Sequence, residues 1–133
     1  NDILQKRSLT EVEAELRSLV SYLKHKTDHL LMMSSGNVGG AVAFSDTKAT
    51  EYETLSRQYR AMFMQVASET ELTYIDLFEE PEDDVFVAQP DIHFAADGLH
   101  PSDAGYAVWF TKLQTVLHQI LKNYEVAFAN IRN

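Results

Sequence analysis

Cysteine is absent from the 133 residues, so the chain can form neither a disulfide framework nor a thiolate metal site. Positive charge is scarce: 11 Lys and Arg stand against 20 Asp and Glu, a formal charge of -9. This balance argues against nucleic acid and anionic membrane surfaces as partners, because both need a basic footprint. Long apolar runs are missing as well, and none approaches the roughly 18 residues of a membrane span. No internal repeat, linker or low-complexity tract interrupts the chain, and nothing at its start resembles a signal peptide. Asn1 need not be the biological N-terminus, so localisation is left open.

What is present is an ordinary globular composition, 45% hydrophobic and 23% charged, enough for one domain at most. Ser8 and Glu11 have the spacing of a capping box, and Leu9, Val12, Leu16, Leu19, Val20 and Leu23 follow it at helical intervals. A helix is expected over 9–26. Leu30-Leu31-Met32-Met33 reads as a strand buried on both faces, followed by a loop over 36–44. A second helix is expected over 47–69, with Tyr52, Leu55, Tyr59, Met62, Phe63 and Val66 on one face. Leu72-Thr73-Tyr74-Ile75 reads as another strand. Pro81 and Pro90 argue against regular structure in the acidic connection 77–95. From about 103 to beyond 121, Tyr106, Trp109, Phe110, Leu113, Val116, Leu117, Ile120, Leu121 and Tyr124 form a wide apolar stripe, read as core.

This order implies βα crossovers and a parallel sheet covered by helices on both faces. Two strands are too few for stripes this wide. The chain therefore reads as part of a larger α/β domain.

Between the acidic connection and the last helix lies Ala96-Asp97-Gly98-Leu99-His100-Pro101-Ser102-Asp103-Ala104-Gly105-Tyr106. Asp and Gly favour a turn, Pro101 keeps residue 100 out of regular helix, and Ser102 is placed to cap the helix that follows. A carboxylate beside an imidazole fixes its tautomer and stabilises the imidazolium, as a general base in acyl transfer requires. Spacing alone leaves an ordinary loop as the alternative.

The string from Asp97 to Tyr106 closely resembles the last conserved block of the GDSL/SGNH hydrolases, in which the Asp and His belong to a Ser-His-Asp triad. The resemblance implies a flavodoxin-like three-layer α/β/α sandwich with a parallel sheet, here lacking its N-terminal strands, so that 1–133 is the C-terminal part of one SGNH domain. Asp97 and His100 then take the orienting and base positions. The family's G-x-N-D block supplies an oxyanion-hole Asn, and the element order matches if Asn1-Asp2 is that N-D. Asn37, after Gly36 at a strand end, is the rival, but only one helix and one strand separate it from Asp97. No serine here follows a Gly-Asp pair, which places the nucleophile upstream. Alone, the chain is expected to be inactive.

The resemblance implies hydrolysis of a small-molecule carboxylic ester or thioester without a cofactor, and leaves acyl length open. A non-catalytic module that keeps the D-x-x-H block, or a helical partner-binding protein, are the alternatives, and exposed strand edges make self-association conceivable. His25 and His29 are four apart, but a strand beginning near His29 would split them, so no metal is expected. His93, near the turn, either lines the pocket or is solvated, the second being expected, and the acidic run Glu79–Asp84 reads as an exposed loop rather than a cation site.

Overall fold

The computed structural model describes residues 1–131, with side chains through Lys122. Helix α1 spans Leu9–Lys24, strand β1 Leu31–Met33, helix α2 Asp46–Glu69 and strand β2 Thr73–Ile75. Two short helices follow, α3 (Val85–Ala88) and α4 (Pro90–His93), before the closing helix α5 (Asp103–Ile131). The five long elements come in the expected order, with boundaries within two residues. β1 and β2 pair in parallel, Leu31 opposite Thr73 and Met33 opposite Ile75, with α2 as their crossover.

Alternation along the strands assigns the faces. Met32 and its register partner Tyr74 join the core made by Val12 and Val20 of α1 and Tyr52, Tyr59, Met62 and Val66 of α2. Val66 is fully buried, and Tyr59 is nearly so while its hydroxyl donates to the Arg7 carbonyl at 3.0 Å. Each such side chain removed from water contributes about 1.5–3 kcal/mol. Ile75, one step on from Tyr74, faces the other way and is buried, and α5 packs against β2.

Four expectations are corrected. β1 is not buried on both faces: Met32 is covered, but Leu31 and Met33 on its other face are exposed, Met33 at 52%, although their neighbour Ile75 on β2 is buried. The Ser8 hydroxyl makes no cap bond. The entry to α1 is held instead by Arg7, which pairs with Asp2 at 3.2 Å and Glu15 at 2.7 Å. The connection 77–95 is not wholly irregular. Pro90 starts α4, where a fixed φ and a missing N–H suit the first helical position, and Asp84 caps α3 by accepting the Phe86 N–H at 2.9 Å. Finally, the α5 stripe is only partly core, since Tyr106, Phe110 and Leu121 are exposed while Trp109 is half-buried against Phe86. The Tyr124 side chain lies outside the described residues.

Candidate active site

The turn 94–102 is closed by backbone bonds before any side chain acts. The Ala95 N–H donates to the His100 carbonyl at 2.8 Å and the Gly98 N–H to the Ala95 carbonyl at 2.9 Å. Phe94 and Pro101 form an antiparallel bridge. Gly98 has φ +66°, and a Cβ there would sit 2.9 Å from Val42 Cγ2, so both conformation and space call for glycine. Its carbonyl accepts the Ala43 N–H at 3.1 Å, tying the turn to the loop after β1. Ser102 caps α5 as expected: its hydroxyl accepts from the Gly105 N–H at 3.2 Å and donates to the Ile92 carbonyl at 2.6 Å.

Asp97 uses both carboxylate oxygens. Oδ1 accepts the Leu99 and His100 N–H groups, each at 3.0 Å, and Oδ2 lies 2.7 Å from His100 Nδ1. The bond to His100, followed by the two backbone donors, lowers the Asp97 carboxyl from 3.8 to about 2. An ionised carboxylate can only accept, so Nδ1 carries the proton and Nε2 is left basic. This is the arrangement a general base needs. Both side chains stand at the surface, His100 66% exposed and Asp97 52%.

The depressed carboxyl predicts a pH dependence. The contribution of Asp97 to stability is fully present above its unfolded value of 3.8 and is lost as pH falls through about 2. Carboxyl-carbon NMR of Asp97 should titrate with a midpoint near 2, and Asp97→Asn should remove that transition. A midpoint at the ordinary carboxylate value would mean that the contact to His100 is absent in solution.

The neighbours of His100 in the chain, Leu99 and Pro101, line a cavity of about 150 Å³ together with Asn37, Ala41, Phe94 and Trp109. Asn37 is 7% exposed, its Oδ1 accepts the Gly39 N–H at 3.0 Å, and its Nδ2 is buried without a partner among the described residues. Asp84 also lines this cavity, and its burial pushes its carboxyl up.

Other candidates resolve differently. Asn1 is exposed in the N-terminal turn, where its carbonyl accepts the Gln5 N–H at 2.9 Å. No hydrogen bond joins Asn1 to Asp97 or His100 among the described residues. His93 is not simply solvated: its ring lies 5.4 Å from that of Phe86 and its Nδ1 is buried. α1 ends at Lys24, before both His25 and His29. The acidic run is engaged rather than open, with Glu80 on Arg57 at 2.5 Å and Glu79 on Lys112. The burial of Asn37 was not foreseen. Its position after Gly36 at a strand end was the one signal available.

The site thus holds an imidazole against an ionised carboxylate on a βα scaffold. The model of the GDSL-like lipase/acylhydrolase family matches residues 1–108, and the chain belongs to that family. No curated protein and no solved structure gives a match.

Proposed function

We propose that the protein hydrolyses carboxylic esters or thioesters by two-step acyl transfer, with His100 as general base and Asp97 as its orienting partner. The observation that carries this is the 2.7 Å contact from Asp97 Oδ2 to His100 Nδ1, in a turn locked by Gly98 and by the Ser102 cap. His100 Nε2 takes the proton of an attacking hydroxyl and returns it to the leaving group, while Asp97 holds the tautomer throughout. The nucleophile is a serine outside these 133 residues. Ser102 caps α5, and the Ser34 hydroxyl accepts the Leu77 N–H at 3.2 Å, so each is committed to structure.

The larger fold we propose is a three-layer α/β/α sandwich, of which this chain forms the C-terminal part. It is supported by the parallel β1–β2 pair, with α1 and α2 against the Met32 and Tyr74 face and α5 against β2. In that sandwich Asn1 donates its side-chain amide to the tetrahedral oxyanion. Asn1→Ala in the parent polypeptide should then lower kcat by about 100- to 1,000-fold with little change in KM.

The experiment is hydrolysis of p-nitrophenyl acetate by the parent polypeptide and by the 133-residue chain alone. Turnover by the parent only, and dependent on His100, is the expected result. A parent that turns over no ester or thioester while folded would favour the non-catalytic reading.

A further inference from the structure

The cavity beside His100 is built for more than an apolar chain. Its body is mostly apolar, with the aromatic Phe86, Phe94 and Trp109 beside Leu99, Pro101 and Val108 among its walls. Its volume of about 150 Å³ is that of engineered cavities which take up benzene-sized molecules. Asn37 is one of the lining residues, and the orientation of its amide is fixed. Oδ1 must face the Gly39 N–H, since turning the amide over would set two donors against each other. Nδ2 is therefore a positioned donor, buried and without a partner among the described residues. A buried amide hydrogen left unbonded is costly, and native structures seldom leave one so without a reason.

The loop that holds Asn37 has little freedom to turn it elsewhere. The Val38 N–H donates to Ser56 Oγ on α2 at 3.1 Å, and the Gly40 N–H returns to the Asn37 carbonyl at 3.1 Å. Gly39 lies so close to α2 that a Cβ there would be 2.5 Å from the Ala49 carbonyl oxygen. Around the cavity stand Asp83, Asp84 and the Glu79–Lys112 pair, in a chain of charge -9. These acids disfavour an anionic occupant. The chemistry that fits is neutral, benzene-sized and bears one hydrogen-bond acceptor.

We propose that this cavity holds one substituent of the ester substrate, a neutral aryl or branched short-chain group carrying an acceptor oxygen, and that Asn37 Nδ2 is the donor that selects it. The assignment of the occupant as part of an ester rests on the hydrolase reading; the cavity and its donor do not. Asn37 is thus a specificity residue, separate from the acid–base pair and from the oxyanion donor proposed at Asn1.

The test is binding rather than turnover, so that it stands or falls separately from the activity. Acetophenone and α-methylstyrene have the same shape, and only the first carries an acceptor oxygen. Each is titrated into the parent polypeptide and followed by the Asn37 side-chain amide and Trp109 indole signals in NMR. Acetophenone should bind saturably and shift both signals. Asn37→Asp keeps the acceptor for the Gly39 N–H and removes the donor, so it should reduce the acetophenone to α-methylstyrene affinity ratio by about 3- to 10-fold. Asn37→Ala also removes the donor and provides the comparison should the aspartate variant not fold, and Val108→Phe should block both probes.

No saturable shift at either signal, or an affinity ratio unchanged by removal of the Asn37 donor, overturns the proposal. His100→Ala should leave probe binding intact. Binding with no ester turnover by the parent would sink the hydrolase reading alone, and turnover with no binding would sink this one alone.

Discussion

His100→Ala in the parent polypeptide should lower ester hydrolysis by about 10,000-fold, with folding and KM little changed. The magnitude follows from what the imidazole does. In the proposed mechanism it removes a proton as the nucleophile attacks and delivers one as the leaving group departs, so without it both steps lose their proton carrier. Folding should be spared because the His100 ring is exposed and its described hydrogen bond runs only to Asp97. The loop is closed by the backbone of residue 100, which donates to Asp97 Oδ1 and accepts from Ala95 whatever the side chain.

Asp97→Asn should cost about as much by a different route. An amide nitrogen offered to Nδ1 would drive the imidazole proton to Nε2, the atom that must act as base. Steady-state kinetics with p-nitrophenyl acetate checks both variants. A His100→Ala enzyme within tenfold of wild type would mean that another group carries the proton.

Gly105→Ala should destabilise the chain by about 2 kcal/mol, against the ordinary helix preference. Alanine gains about 1 kcal/mol over glycine within a helix, and an exposed site would show that gain. Here, however, the added Cβ would sit 2.3 Å from the His93 carbonyl oxygen and 2.8 Å from the Phe86 ring. The His93 carbonyl cannot retreat freely, because it accepts the Ser102 N–H at 2.8 Å. Moving α5 away would loosen the Ser102 bond to Ile92 and the cap on Gly105 together. An overpacking cost of about 3 kcal/mol therefore exceeds the gain in propensity. Urea unfolding should show the lower midpoint, and amide exchange at Ser102 should quicken. Equal or greater stability would show that α5 does not dock this closely on α4.

The amino-acid order alone determined the long elements and the contact between Asp97 and His100. α1, α2 and α5 carry apolar residues at helical spacing over 16 residues or more, a signal strong enough to survive any packing. Asp97 and His100 are three apart in a turn dictated by Gly98 and Pro101, so their contact is local. Contacts between distant residues were not legible in this way. Nothing near Asn37 in sequence foretells that α2, through Ser56 and the backbone beside Glu53, would pin its loop and bury its amide. Pro90 was read as a breaker because proline both ends helices and begins them, and only the path of the chain decides which. Leu31 and Met33 are apolar like Met32, so an apolar run cannot say which of its residues will be covered. Gly105 reads as one small residue in a helix start, and its need for hydrogen in place of Cβ comes from His93 and Phe86, which arrive from elsewhere in the fold. Periodicity and turn chemistry act within a few residues and are written in the order of the chain. Burial, close approach and an unpartnered donor arise where separate segments meet, and tertiary structure alone decides them.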